Sequence, residues 1–404
     1  MGSSNTFLCS TPGPIGLKTP SKLNFMDRRD LIKASLAGTA IGAAALITGC
    51  NKPDSATGPK APEAAMLNLN KTLSWKMVTT WPKNFPGLGT GANNLASLIE
   101  KMSGGRIKIK VFGAGELVPA FGVFDAVSQG TAEMGHGAAY YWKGKSEAAQ
   151  FFTAVPFGLN ATEMNSWIRY GGGQELWDGL YQDFGVKPFA TGNTGVQMGG
   201  WFNKKIESIE DFKGLKMRMP GLGASVLEKV GATPVSLPGG EIFQSLQSGA
   251  IDATEWVGPY NDLAFGFYKI AKYYYWPGWH EPGSVMELTV NQKAYQSLPA
   301  DLKAIVKAAT AVAYGDMLAE FTARNNQALM TLVNDHHVQL KRFSDPVLSR
   351  LGSVAKEVVE DLASKNPQAK AVYQSFESFR TNAIPWTKIG EEGFSLARSL
   401  TFGK

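Results

Sequence analysis

Between Lys76 and Ala139 short apolar runs alternate with helical ones, and this alternation constrains the fold more than any other feature of the 404-residue chain. Lys76–Thr80 reads as a strand, and Asn93–Met102 as an amphipathic helix stopped by Gly104-Gly105. Arg106–Val111 alternates polar and apolar side chains, as a half-buried strand does. Ala120–Gln129 reads as a helix and Ala132–Ala139 as a strand. Three strands separated by two helices imply a parallel sheet with helices on its faces, because parallel neighbours need a long crossover. Thr162–Phe184 is helical in pattern and Val186–Thr191 is a strand, with Gly171-Gly172-Gly173 reading as a break rather than a phosphate loop.

A second block repeats this alternation, with strands at Leu215–Met219, Thr233–Leu237 and Ile251–Thr254 and helices at Ala224–Val230 and Ile242–Ser248. Ala126–Glu133 parallels Ser245–Asp252, each with a helix end, a Gly stop, two small or apolar residues and an acid entering a strand. Shared helix-to-strand chemistry or chance explains so short a match. Two lobes of like construction explain it equally well. After Asn291 the pattern changes. Ser297-Leu298-Pro299-Ala300-Asp301 starts a helix, and Leu302, Ile305, Val306, Ala309, Val312, Ala313 and Met317 keep helical spacing to about Val333. At ~1.5 Å per residue such a helix crosses both lobes. A strand at Val338–Phe343 and a stripe of Leu348, Leu351, Val354, Val358 and Leu362 follow. These terminal stripes fit core packing, and they also fit an exchange of helices between two subunits of a homodimer.

The N-terminal region reads as an address. Arg28-Arg29 precede an apolar run, Ala34–Gly49, that ends in Ile47-Thr48-Gly49-Cys50. A twin arginine, a short weakly apolar run and a small residue before cysteine read as an export signal with a lipoprotein cleavage box. The run is shorter than the ~20 residues a spanning helix needs. Cys50 becomes the lipidated first residue of a membrane-tethered, extracytoplasmic protein on this reading. Residues 1–25 look wrong for such a signal, so Met26 is a candidate start, and residues 50–70, polar and Pro-rich, read as a tether.

Composition excludes several classes. The net charge is +6, but Lys18, Lys22, Arg28, Arg29 and Lys33 against Asp27 and Asp30 place +3 of it in residues 1–49. The body has no Lys/Arg stripe, which argues against nucleic acid. Cys9 and Cys50 lie outside the body, leaving it without disulfide or thiolate metal site. Four histidines are too scattered for a typical zinc enzyme, and His336-His337 read as a solvated turn. No Gly-x-Ser-x-Gly, Walker A or Rossmann fingerprint occurs in a strand–turn–helix setting.

Ligands of open α/β lobes bind beyond the carboxyl ends of the strands. That rule points to Tyr140 and Tyr141, to Gln197, to Arg218, to Glu255-Trp256 and to Trp279-His280-Glu281. Arg218 offers a planar fork that fits a carboxylate. Glu255 and Glu281 sit in apolar surroundings, where a carboxylate needs a partner. A monocarboxylate ligand with Arg218, Glu255 and Glu281 carries a net charge of −2, which a dry cleft does not tolerate. A bound cation resolves it, and oxygen donors without thiolates select a hard one such as Na⁺ or Ca²⁺. A 2-oxo or 2-hydroxy acid chelates such an ion with two oxygens, and Tyr140, Tyr141, Trp256 and Trp279 supply apolar walls. The alternative is an exported carbohydrate-active hydrolase using Glu255 and Glu281 as acid and base.

Five segments carry a resemblance: Phe112–Pro119, Gly192–Trp201, Gly214–Arg218, Ile251–Tyr260 and Tyr273–Trp279. They resemble the extracytoplasmic solute-binding proteins of TRAP (tripartite, ATP-independent) transporters, and within them the subfamily that binds 2-oxo monocarboxylates such as pyruvate. The resemblance runs from about Trp75 to the C-terminus. It implies an α/β, two-lobed periplasmic-binding-protein-like fold, type II-like, each lobe a mixed, mostly parallel sheet flanked by helices, with a long helix spanning both. It places one lobe at 71–195 plus about 272–325 and the other at 196–271 plus about 326–404. It implies a binder, not an enzyme, that closes on a small organic acid anion and delivers it to a membrane permease. Arg218 matches the family's carboxylate-binding arginine. Gln197, Glu255, Trp256 and Glu281 match positions that hold the substrate and a metal ion, and Tyr140 matches an aromatic on the ligand's other side. His280 stands where close relatives carry tryptophan, and Lys143 where they carry an aromatic.

Overall fold

The structure, a computed structural model, describes residues 72–403. The export signal expected at 1–49 and the tether at 50–70 lie outside the described residues. Eleven strands are seen among the described residues: β1 (Leu73–Thr79), β2 (Ile107–Phe112), β3 (Met134–Gly137), β4 (Val186–Asn193), β5 (Gly200–Phe202), β6 (Lys216–Arg218), β7 (Thr233–Val235), β8 (Ala253–Thr254), β9 (Tyr273–Trp276), β10 (Val285–Asn291) and β11 (Gln339–Arg342). They form two sheets, ordered β2-β1-β3-β10-β4 and β11-β9-β5-β8-β6-β7. In the first, β10 pairs antiparallel with both neighbours and the other four strands share one direction. In the second, β5 alone opposes the rest. Each lobe is therefore a mostly parallel sheet with one reversed strand, and helices flank both sheets.

The reversed strands follow from connectivity. The chain leaves the first sheet at β4 and enters the second as β5, then leaves at β9 and returns as β10. β10 is buried along nearly its whole length, because it sits between two neighbours and beneath helices. β9 joins the second sheet through Gly200–Phe202, which pair with Tyr275, Tyr274 and Tyr273. The return to the first sheet thus follows Trp276, beyond the expected boundary at 272.

The expected helix Thr162–Phe184 is two helices, Ala161–Tyr170 and Gly173–Gln182. Gly172 adopts φ +84°, which ends a right-handed helix, and a Cβ on Gly171 would lie 2.8 Å from Phe379 and Trp167. The break is a packing device, as its glycines suggested. The long helix Ala300–Asn334 has 35 residues and packs on β4 and helix Gly89–Met102 of the first lobe and on helix Pro259–Phe265 of the second. It is pinned at the crossing, where Tyr314 accepts a hydrogen bond from Asn193 Nδ2 (2.9 Å) and donates to the Ala161 carbonyl (2.9 Å).

Helix Asp345–Lys365 packs on helix Gly221–Lys229 of the second lobe, but Pro367–Thr387 packs on Glu147–Phe152 and on the helices spanning 161–182. The last helices thus return to the first lobe instead of staying with the second, as 326–404 was expected to. Phe376 draws them there, with its ring 5.2 Å from Trp167 and 6.2 Å from Phe151. Past Ile384 the rod continues to Phe402 with its apolar side chains exposed. No described helix is long and apolar enough to cross a membrane.

Candidate functional site

Arg218 ends β6, and Glu255 follows β8. The two strands pair in parallel with Arg218 beside Thr254, so Glu255 falls next to the guanidinium. Arg218 Nη1 donates to Glu255 Oε1 and, at 3.3 Å, to the Glu255 carbonyl. Its Nε donates to the Leu237 carbonyl at 3.2 Å. Nη2 has a longer contact, 3.4 Å to the Tyr141 hydroxyl. The guanidinium carbon lies 5.0 Å from the Trp256 ring centroid, a cation–π arrangement. The expected open fork is therefore partly engaged by protein, with Nη2 the least committed arm. Burial works against the Arg218 charge, but the acidic groups around it, Glu255 first, outweigh burial and leave the guanidinium more basic than usual.

Gln197 and Glu281 come from the two crossing segments. These are laced together: Gln197 N donates to the Glu281 carbonyl (3.2 Å) and Gly278 N to the Gln197 carbonyl (2.9 Å). A Cβ on Gly278 would lie 2.3 Å from that carbonyl oxygen, so only glycine permits the approach. Gln197 Nε2 donates to Glu281 Oε2 (2.8 Å), and Ser284 Oγ donates to the same oxygen. Burial, then the Glu255 carboxylate, pushes the Glu281 carboxyl up to about 7.

Four buried polar atoms of this cluster have no hydrogen-bond partner among the described residues: Gln197 Oε1, Glu255 Oε2, and Nδ1 and Nε2 of His280. Donor atoms of Glu255, His280 and Glu281 lie within 4.8 Å of one another. Buried acceptor oxygens left without donors are costly unless a cation sits against them, so the residues fit a bound metal ion.

The first lobe closes the site. Tyr140 is anchored by its amide to Thr153 Oγ1 (3.1 Å), and its ring meets Gly221 at the start of the second lobe's helix Gly221–Lys229. Burial raises both Tyr140 and Tyr141, so both are neutral phenols. Trp256 packs edge-on to Trp81 (6.1 Å) and Phe85 (6.3 Å) of the first lobe, and its Nε1 donates to Asn261 Oδ1 (3.2 Å). Asn261 also bridges the lobes to the Pro86 carbonyl (3.0 Å). Tyr140, Gln197, Arg218, Glu255, Trp256 and Glu281 are each at most 6% exposed.

Trp279, expected as an apolar wall, stacks on Phe157 (5.9 Å, 25°) and meets the His280 ring edge-on, and Lys143 is exposed. His336 and His337 are exposed beyond the long helix, as expected of a solvated turn. Sequence reasoning missed Ser284. It follows Pro282-Gly283 on a segment that gave no strand or helix signal, and the short spacing from Glu281 was the available clue.

The family described as bacterial extracellular solute-binding protein, family 7, matches residues 77–366. The chain belongs to this family. The monocarboxylate 2-oxoacid-binding periplasmic protein of Nostoc sp. is 41% identical over 366 residues, covering 91% of this chain and 97% of that protein. A TRAP periplasmic solute-binding protein from Pseudoalteromonas atlantica T6c, solved with sodium and pyruvate, superposes with a TM-score of 0.78 at 42% identity, covering 80% of this chain and 98% of the other. A TRAP transporter solute-binding protein from Bordetella bronchiseptica RB50, a mixed-occupancy dimer with copurified calcium and picolinate in one active site and an apo site, gives a TM-score of 0.81 at 37% identity, covering 83% of this chain and 99% of the other. Membership of family 7 accords with two lobes closing over one small buried site. It gives the hydrolase alternative no support.

Proposed function

We propose that this chain is the solute-binding component of a TRAP transporter, capturing a small 2-oxo or 2-hydroxy monocarboxylate (pyruvate-like or lactate-like) with a bound Na⁺ or Ca²⁺. The observation that carries this reading is one enclosed cluster in which Arg218 and two carboxylates meet beside unpartnered buried acceptors. Arg218, through Nη2, takes the ligand's carboxylate. Gln197 Oε1, Glu255 Oε2 and Glu281 hold the cation. Trp256 would join them through its carbonyl, since its indole nitrogen is a donor already given to Asn261. Tyr140 closes the ligand's other side. A cation held by these protein carboxylates would offset a charge that burial otherwise opposes. Ligand binding shifts an open–closed equilibrium, and membrane permease subunits read the closed state. No bond of the ligand is made or broken.

The lobes divide at the crossings on this reading: β1–β4 with β10 in one, β5–β9 with β11 in the other. The protein works in the periplasm, exported by the twin-arginine route and tethered through Cys50. The exposed row Ile384, Trp386, Ile389, Phe394, Leu396, Leu400 and Phe402 supports pairing of two copies through exchanged C-terminal helices.

Calorimetry in sodium-free buffer tests the central claim. Pyruvate or lactate should give stoichiometric heat with added Ca²⁺ or Na⁺ and none when both cations are withheld, with no turnover. Cation-independent binding, or consumption of a glycan, would overturn it.

A further inference from the structure

His280 has no place in the cation set proposed above, yet its position demands one. It is 2% exposed, and both ring nitrogens lack a hydrogen-bond partner among the described residues. Buried imidazoles normally find one. His136, equally buried in the first lobe, does so by accepting from Trp81 Nε1 at 2.8 Å. His280 instead faces the unpartnered Oε2 of Glu255, with Nε2 3.4 Å away. That distance is long for a hydrogen bond. It matches the ~3.4 Å between two donors that share a tetrahedral ion with bonds of about 2.0–2.1 Å. The ring is also held in place. A Cβ on Gly223 would lie 3.0 Å from the His280 Cβ, and the Trp279 ring is edge-on at 5.4 Å.

We infer that His280 is a nitrogen ligand of the cation held by Glu255 and Glu281, and that it gives this chain's site an affinity for zinc-like divalent ions. The inference rests on the proposed metal-assisted binding of a carboxylate. Two carboxylates and one imidazole form a mixed oxygen–nitrogen set of the kind that zinc and other transition ions occupy, whereas oxygens alone suit Na⁺ and Ca²⁺. Charge points the same way. Glu255, Glu281 and a ligand carboxylate against Arg218 leave −2, which a divalent ion cancels and a monovalent ion does not. A neutral imidazole adds a ligand without disturbing that balance. The arrangement is self-consistent: Arg218 takes one oxygen of Glu255, and the ion and His280 share the side of the other.

The test uses chelator-treated, sodium-free protein, titrated with Zn²⁺ and separately with Ca²⁺, each followed by pyruvate. Co²⁺ serves as a visible-absorption probe of nitrogen ligation. Comparison of the parent with His280→Phe should show Zn²⁺ affinity falling at least about tenfold while Ca²⁺ affinity changes less than about threefold. The cobalt spectrum should change on the same substitution. His280→Asn replaces the first variant if circular dichroism shows that it does not fold. Equal Zn²⁺ affinity in parent and variant, with Ca²⁺-supported pyruvate binding intact in both, overturns the inference and leaves the carboxylate-binding reading standing. Failure of the parent to bind pyruvate with any cation overturns both.

Discussion

The two lobes share a turn and differ in what the turn delivers. In the first, Gly130 (φ +79°) ends a helix, and Glu133 accepts from the Lys76 amide at 2.7 Å, fixing β3 against β1. In the second, Gly249 (φ +74°) does the same, and Asp252 accepts from the Lys216 amide at 2.9 Å, fixing β8 against β6. The short sequence match between Ala126–Glu133 and Ser245–Asp252 is therefore one structural device used twice. Beyond it the first lobe runs into His136, Gly137, Ala138, Ala139 and Tyr140, the second into Glu255 and Trp256. Scaffold is repeated and electrostatics are not. The second lobe and the crossings carry the charged groups, and the first lobe supplies neutral rings that shut over them.

That contrast can be broken most directly at Arg218. Arg218→Ala leaves Glu255 buried and unpaired, a cost of about 3–5 kcal/mol, and calorimetry should find carboxylate affinity reduced about 1000-fold. A loss below tenfold would mean that the charge of the second lobe does not select the ligand. A subtler test uses a feature the lobes share. Burial raises Glu287 of the first and Asp262 of the second to about 7 each. A raised folded-state pKa means that protonation favours the native state. The stability is present below the unfolded value of 4.5 for Glu287 and is lost as pH rises through about 7. The loss is on the order of 3 kcal/mol. Glu287→Gln should flatten the chemical-denaturation stability between pH 5 and 8 in that window, and an undiminished slope would assign the dependence elsewhere.

Closure itself is probed by Gly221→Ala. Gly221 has φ +63°, and its Cβ would meet Tyr140 at 3.2 Å across the lobe boundary. The left-handed conformation alone costs roughly 1–2 kcal/mol with a side chain, so affinity should fall about tenfold. Unchanged affinity with small-angle scattering showing the same compact bound state would detach Tyr140 from closure. The smallest effect is expected for Tyr140→Phe, which keeps the ring and removes a neutral hydroxyl. Affinity should change less than about threefold, in line with one neutral hydrogen bond or less. A loss matching that of Arg218→Ala would abolish the division of labour between the lobes.

Periodicity made most of the parallel strands of both sheets and the long helix legible. It failed at β5, β9 and β10. Val285–Asn291 is buried on both faces, so the alternation that marks a half-exposed strand is weak, and Glu287 interrupts the apolar run. That glutamate is tolerated because Trp142 Nε1 and Tyr181 OH donate to its two oxygens, partners more than a hundred residues away in sequence. The site followed the same logic. Arg218, Gln197, Glu255 and Glu281 stand out in the sequence because polar residues at strand ends in apolar surroundings are conspicuous, and the structure brings them into one buried cluster. Arg218 bonding to Glu255 was not foreseen, since it depends on the register of β6 against β8. Nor was the return of the last helices to the first lobe, which depends on where Phe376 finds Trp167.

The enclosure of the site governs timing as well as affinity. With the groups of the proposed site nearly sealed from solvent, a captured molecule would leave only as fast as the halves separate. Residence time is then a mechanical property of the boundary formed by Phe85, Phe265, Asn261 and the Pro86 carbonyl, whose ring stack measures 4.2 Å. A docking partner that pries at this rim would set the moment of unloading without touching the cargo.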